Sequence, residues 1–262
     1  MSIQSTNLVQ EAYRHLQEAE EGRAVSPLTE LYSSLTVDEA YQVQLKTIEQ
    51  KVSEGQRIVG KKIGLTSFAM QNLLGVDQPD YGHLLEHMEV KNKGEIALNT
   101  LFQPKVEGEI AFILKKDLKG PSVTEQEVLE ATDYIVPSLE IVDSRIKDWK
   151  IKLQDTIADN ASCGLYVLGE QKVELEGLDL TKIEMSLYKN GELINQGTGA
   201  DVLGHPAKCV AWLANKLSDY SVILKAGEVI LSGALSAAVD AQKGDSFTAE
   251  FTKLGKVEVS FG

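Results

Sequence analysis

The chain has 262 residues, 43% hydrophobic and 25% charged, which suits a globular protein large enough to bury a core without staples. Its 26 basic against 39 acidic residues give a net charge of −13, which argues against nucleic acid or an anionic membrane surface as a partner. No apolar run reaches the length of a bilayer span, Cys163 and Cys209 have neither metal spacing nor a CxxC pattern and read as reduced thiols, and the N-terminus lacks the basic-then-apolar order of a signal peptide, so a cytoplasmic location is expected.

In chain order, Leu8, Ala12 and Leu16 recur at helical spacing between about Ser5 and Glu20, and Gly22 and Ser26-Pro27 break the pattern. Thr36-Val37-Asp38-Glu39 is a capping box, which opens a helix with Val37, Tyr41, Leu45, Ile48 and Val52 on one stripe and Gly55 as its stop. Arg57 to Gly64 reads as a short strand broken by glycines. Ser67 is placed to cap a helix from Phe68 to Leu74, and Asp77 to Gly82 reads as a polar loop. His83 and His87 have an i, i+4 spacing, but Gly82 disfavours a helix there and a surface role is expected.

Val106 to Leu114 reads as a strand whose core face carries Val106, Ile110, Phe112 and Leu114. Thr124-Glu125-Gln126-Glu127 is a second capping box, with Val123 and Val128 as its hydrophobic staple. Tyr134 to Asp143 returns to strand character. Asn190-Gly191 fits the type I′ turn of a hairpin from Met185 to Ile194. His205-Pro206 opens a helix buried through Val210, Leu213, Ala214 and Leu217. Val229 to Gly233 is a buried strand, and Phe247, Ala249, Phe251, Val257, Val259 and Phe261 alternate through a final pair of strands. The pattern is α+β, with strands outnumbering helices after Gly60.

Carboxylates carry the chemical signal. Glu107 and Glu109 share the other face of their strand, where like charges repel and Glu is a poor strand former. A solvated acidic face is one reading, a bound cation the other. Glu140 stands in an apolar, β-branched run, where a carboxylate is costly unless paired or metal-bound. Three carboxylates on two strands suit a hard divalent cation, Mg²⁺ or Mn²⁺, rather than zinc. Such a site leaves room for a 2-oxo acid and for stabilising the charge that develops on its 2-oxygen. Lys62 and Asp80 lie in what read as glycine-flanked loops able to face a pocket. No P-loop, GxSxG or dinucleotide fingerprint is evident.

Four segments carry a resemblance: Gly60-Lys61-Lys62-Ile63-Gly64-Leu65-Thr66-Ser67, Leu74 through Gly82, Glu107-Gly108-Glu109, and Asp159-Asn160-Ala161-Ser162. In this order, over about Glu11 to Phe261, the chain resembles the 2-hydroxypenta-2,4-dienoate hydratases, also called 2-keto-4-pentenoate hydratases, of the fumarylacetoacetate hydrolase superfamily. The resemblance implies a β-rich fold of mixed sheets in a roll or sandwich (residues 57–262) behind an N-terminal helical region (residues 1–56). It implies Mg²⁺ or Mn²⁺ on Glu107, Glu109 and Glu140, catalytic roles for Lys62 and Asp80, and substrate contacts from Leu65, Ser162, Ser232 and Gly233. A lyase of meta-cleavage catabolism of aromatic compounds is expected, acting on a small 2-hydroxydienoate and assembled as a homo-oligomer, a pentamer or decamer. Association with a pathway decarboxylase or aldolase also belongs to that picture. The alternatives are a 4-oxalocrotonate decarboxylase and a non-catalytic partner subunit; Lys61-Lys62 and Gly108 lean towards the hydratase.

Overall fold

The computed structural model describes residues 3–21, 23–67, 71–72 and 75–262. The N-terminal helices are α1 (Ile3–Gln17), α2 (Leu28–Leu31) and α3 (Val37–Ser53). Thr36 caps α3 with both hydrogen bonds of the box. The buried stripe of α3 differs from the expected one: Ala40, Tyr41, Val43, Gln44 and Ile48 are inside, while Val52 is 44% exposed. The polar Gln44 is admitted because its amide donates to the carbonyls of Tyr81 at 2.9 Å and Ile157 at 2.8 Å. The expected helix from Phe68 to Leu74 lies largely outside the described residues.

The strands are β1 (Ile58–Gly64), β2 (Asp80–Leu85), β3 (Glu89–Val90), β4 (Gly94–Ile96), β5 (Lys105–Leu114), β6 (Thr132–Val142), β7 (Cys163–Leu168), β8 (Glu184–Lys189), β9 (Glu192–Thr198), β10 (Val229–Ala234), β11 (Val239–Asp240), β12 (Ser246–Phe251) and β13 (Gly255–Phe261). The later helices are α4 (Glu125–Ala131), α5 (Leu153–Ala158) and α6 (Pro206–Ser218). One sheet runs β2-β1-β10-β5-β6-β7-β3, with β11 paired to β5; the other runs β4-β13-β12-β8-β9. This is the expected α+β arrangement of mixed sheets: β1 and β10 run parallel, β5 and β6 antiparallel.

Alternation along β5 divides the structure. Val106, Ile110, Phe112 and Leu114 join the main apolar cluster with α6 and the second sheet, through Val210, Leu213, Phe247 and Val259. The opposite face places Ala111 in a smaller cluster with Leu84, Val136, Cys163, Tyr166 and Leu231. Glu107 and Glu109 share that second face, which therefore supplies a dry floor beside them.

Two local expectations are corrected. Asp80-Tyr81-Gly82 is the start of strand β2 and is buried, not loop, because it pairs with β1 from Gly64↔Asp80 to Lys62↔Gly82. The same pairing buries His83, and burial, aided by Lys61, pushes its pKa down to about 3; His87 lies in the exposed turn that follows. Among the described residues no helix is long and apolar enough to cross a membrane.

Candidate metal centre and active site

The β5–β6 ladder sets Glu107 directly opposite Glu140 and Glu109 opposite Ser138. One carboxylate oxygen from each of Glu107, Glu109 and Glu140 lies within 4.8 Å of the others. Glu109 and Glu140 are 1% and 0% exposed. A bulge in β10 turns Gly233 (φ 111°) so that its N–H donates to Glu109 Oε2 at 2.7 Å. Glu109 Oε1 and Glu140 Oε2 are buried with no hydrogen-bond partner among the described residues. Burial and the neighbouring Glu140 raise the pKa of Glu107 to about 7; burial, Glu140 and Glu107 raise that of Glu109 well above the usual carboxylate value.

Lys62 and Asp80 stand on adjacent strands rather than in loops. Lys62 Nζ is 3.1 Å from Glu140 Oε1 and donates to the Ala161 carbonyl at 2.9 Å. Burial opposes its charge, but Glu140, Asp80 and Glu107 outweigh that and hold Lys62 protonated. Asp80 is buried; burial raises its pKa despite Lys62, Oδ2 accepts from Thr156 at 3.3 Å, and Oδ1 has no hydrogen-bond partner among the described residues. Gly64 makes room for both: a Cβ there would lie 2.2 Å from Asp80 Oδ1 and 3.4 Å from Lys62 Nζ.

The third wall is the turn Asn160-Ala161-Ser162, three successive residues with φ of 54°, 52° and 51°. Such left-handed conformations cost about 1 kcal/mol or more each outside glycine and persist where surroundings over-determine them. Here Asn160 exchanges hydrogen bonds with both backbone groups of His83, at 2.7 and 2.9 Å. Arg145 donates to the Cys163 carbonyl at 2.8 Å, to the Asp159 carbonyl and to the Asp159 carboxylate. Burial lifts Asp159 to about 6 even with Arg145 beside it.

The expected residues therefore converge in large part. The three glutamates, Lys62 and Asp80 surround one point, Gly233 touches Glu109, and Ser162 lies one hydroxyl from Asp80. Ser232, next to Gly233, is fully buried, and its hydroxyl has no partner among the described residues. Leu65 follows Gly64 with φ 56°, half-buried, its carbonyl accepting from Gln71 at 2.8 Å. Sequence reading missed Arg145 and Thr156, which reach the site from elements distant in the chain.

The donor set fits a hard divalent cation: three converging carboxylates, all oxygen, two with buried atoms that nothing else among the described residues satisfies.

Residues 89–261 match the family model described as fumarylacetoacetate (FAA) hydrolase C-terminal. A 2-hydroxyhexa-2,4-dienoate hydratase from Comamonas testosteroni is 48% identical over 241 residues, 91% of each chain. A 2-keto-4-pentenoate hydratase from Paraburkholderia xenovorans (strain LB400) is 46% identical over 253 residues, 96% of this chain and 94% of the relative. The solved 4-oxalocrotonate decarboxylase from Pseudomonas putida G7, complexed with magnesium and adipate, superposes with a TM-score of 0.95 at 35% identity over 98% of both chains. With the family model matching residues 89–261 and the relatives spanning nearly the whole length, the chain belongs to the fumarylacetoacetate hydrolase family.

Proposed function

We propose that the protein is a hydro-lyase that hydrates 2-hydroxypenta-2,4-dienoate to 4-hydroxy-2-oxopentanoate in the meta-cleavage catabolism of aromatic compounds. The observation that carries this is the convergence of Glu107, Glu109 and Glu140, with buried oxygens that have no hydrogen-bond partner among the described residues, next to buried Lys62 and buried Asp80. The hydratase names of relatives at 46–48% identity support the reaction, and the magnesium in the decarboxylase structure supports the cation.

Glu107, Glu109 and Glu140 would hold Mg²⁺ or Mn²⁺. When bound, the cation supplies positive charge towards the substrate's carboxylate and 2-oxygen. The dienol gains a proton at C5 and loses its 2-hydroxyl proton, giving the 2-oxo-3-enoate. Water then adds its oxygen at C4 and a proton arrives at C3. Lys62, held charged, neutralises the negative charge that builds on the 2-oxygen. Asp80 moves protons, a task suited to a carboxyl whose burial raises its pKa. Leu65, Ser162, Ser232 and the Gly233 backbone line the substrate. The floor of Ala111, Val136, Cys163 and Leu231 excludes water from beneath. The helical region of residues 1–56 braces this site through Gln44 and the stack of Tyr41 on Tyr81 at 4.7 Å. The assembly is a cytoplasmic homo-oligomer, a pentamer or decamer, able to associate with a pathway decarboxylase or aldolase.

The test is turnover of 2-hydroxypenta-2,4-dienoate after chelation, with and without added Mg²⁺ or Mn²⁺. Activity that needs the added cation is expected; full activity of Glu107→Gln and Glu109→Gln after chelation sinks the reading. The superposition on the decarboxylase supports one rival, read by CO₂ release from 2-oxohex-3-enedioate.

A further inference from the structure

Thr156 has no part in the chemistry above, yet its side chain is placed as if it had one. It lies on α5, 5% exposed, with its hydroxyl 3.3 Å from Asp80 Oδ2 and 3.3 Å from the Ser162 hydroxyl. A helical threonine usually turns its hydroxyl back to the preceding turn, as Thr47 on α3 does towards the Val43 carbonyl at 3.4 Å. Thr156 points instead across to a strand and a turn. A valine would fill the same volume in this buried position without a polar atom to satisfy.

The surroundings fix both ends. Asp155, its neighbour on α5, is fully buried and accepts from the Thr29 N–H at 3.0 Å, the Thr29 hydroxyl at 2.7 Å and the Lys152 N–H at 2.9 Å. Gln44 ties α5 at the Ile157 carbonyl to β2 at the Tyr81 carbonyl, one residue from Asp80. Ser162 ends the left-handed turn that Arg145 and Asn160 hold, and its carbonyl accepts from the Asp143 N–H at 2.8 Å. The donors also have a direction. Thr156 has one hydroxyl proton, which goes to Asp80 Oδ2, so the bond between the two hydroxyls is donated by Ser162. Asp80 Oδ1, with no partner among the described residues, is left for the reacting carbon.

We propose that Thr156 is the positioning residue for Asp80 and the middle of a relay, Ser162 to Thr156 to Asp80, that recharges Asp80 with the proton of the adding water. The proposal rests on the hydratase reading above. Water gives its oxygen and one hydrogen to C4. Its other proton passes to Ser162 Oγ, while Ser162 gives its own to Thr156 and Thr156 gives its own to Asp80 Oδ2. Asp80 Oδ1 has delivered a proton to C3, so the carboxyl is neutral again and each hydroxyl is unchanged. Water is thereby divided between C4 and C3 with no proton gained or lost by the protein.

The test compares Thr156→Val, which keeps the volume and removes the hydroxyl, with Thr156→Ser, which restores it. Thr156→Val is expected to lower kcat roughly 100-fold, the low end of a lost acid–base contribution, with KM and Mg²⁺ affinity within about twofold of wild type. Thr156→Ser is expected to stay within about threefold of wild type, and Ser162→Ala, which leaves α5 untouched, to lose kcat as Thr156→Val does. A readout free of turnover is the infrared carboxyl band of Asp80, identified by its loss in Asp80→Asn. It should shift in Thr156→Val and return in Thr156→Ser, in metal-free protein. Unchanged kcat or an unmoved Asp80 band in Thr156→Val overturns the proposal, as does a Thr156→Ser variant as slow as the valine. If the wild type turns over no dienoate, the hydratase reading fails by itself, and the infrared comparison still decides whether Thr156 holds Asp80.

Discussion

Glu107 and Glu140 are direct partners across the β5–β6 ladder, so two carboxylates meet where a sheet ordinarily pairs apolar or opposite charges. Lys62 answers the charge of Glu140, at 3.1 Å. Replacing Glu107 with Gln should therefore stabilise the metal-free protein by about 1 kcal/mol, since repulsion is removed and the lysine pair is kept. The same change should weaken Mg²⁺ binding by at least about 100-fold, more than loss of an outer partner costs. Thermal melts with and without Mg²⁺ read both effects; a variant that loses stability without the cation contradicts the repulsion argument.

Acidity should act in the same sense. Glu107 is raised to about 7 and Glu109 well above the usual carboxylate value, so the metal-free folded protein holds protons that the unfolded chain releases. Their contribution is complete below the unfolded carboxylate range, near pH 4, and is lost as pH rises through 7. Metal-free protein should thus lose on the order of 2 kcal/mol from this source between pH 5 and pH 8. Mg²⁺ affinity should climb over the same interval, because the ligands must be deprotonated to bind. Calorimetric melts and titrations at both pH values provide the measurement.

Gly64 is expected to resist even one added carbon. A Cβ would lie 2.2 Å from Asp80 Oδ1, a distance that forces the carboxyl aside. Gly64→Ala should lower kcat roughly 100-fold, as displacement of a reacting group by an ångström does. Mg²⁺ affinity should remain, because the three glutamates are on other strands. A variant with wild-type kcat would show that Asp80 need not stand where it does.

Arg145 should matter more to folding than its distance from the glutamates suggests. Its fork binds the Asp159 carboxylate, the Asp159 carbonyl and the Cys163 carbonyl, all within the segment that carries the left-handed turn. Arg145→Met leaves the Asp159 charge buried and unpaired, which costs about 3 kcal/mol or more. Arg145→Lys keeps the charge but cannot make the forked contacts, and should recover less than half of the loss. Urea denaturation distinguishes the two.

Much of this structure was legible from residue order. The capping boxes at Thr36 and Thr124, the turn at Asn190-Gly191 and the alternation of the last strands are local signals, each decided within a few residues. Glu140 showed because a charge in an apolar strand is conspicuous, Glu107 and Glu109 because two carboxylates share one strand face, and Lys62 through the family resemblance. What stayed hidden depends on pairing between distant segments. Asp80 looked like loop, since Asp, Pro and Gly there resemble a turn, and only pairing with β1 makes it strand. The burial of Gln44 depends likewise on the Tyr81 and Ile157 carbonyls that its amide reaches. Thr156 and Arg145 gave no signal, because a threonine in a short helix and an arginine after a strand are ordinary until their partners are known.

The ladder from Lys105↔Val142 to Leu114↔Thr132 also protects the site against a particular error. Side chains alternate along β5, so a slip of one residue would carry Glu107 and Glu109 into the apolar core and turn Ile110 and Phe112 towards the substrate. Gly108 resists the slip as well: it backs onto Met185 of the second sheet, where even a methyl would meet the thioether at 3.1 Å. The cation site and the hydrophobic core are thus two readings of one register. A single-residue deletion within β5 would abolish both together, whereas a substitution can remove one and spare the other.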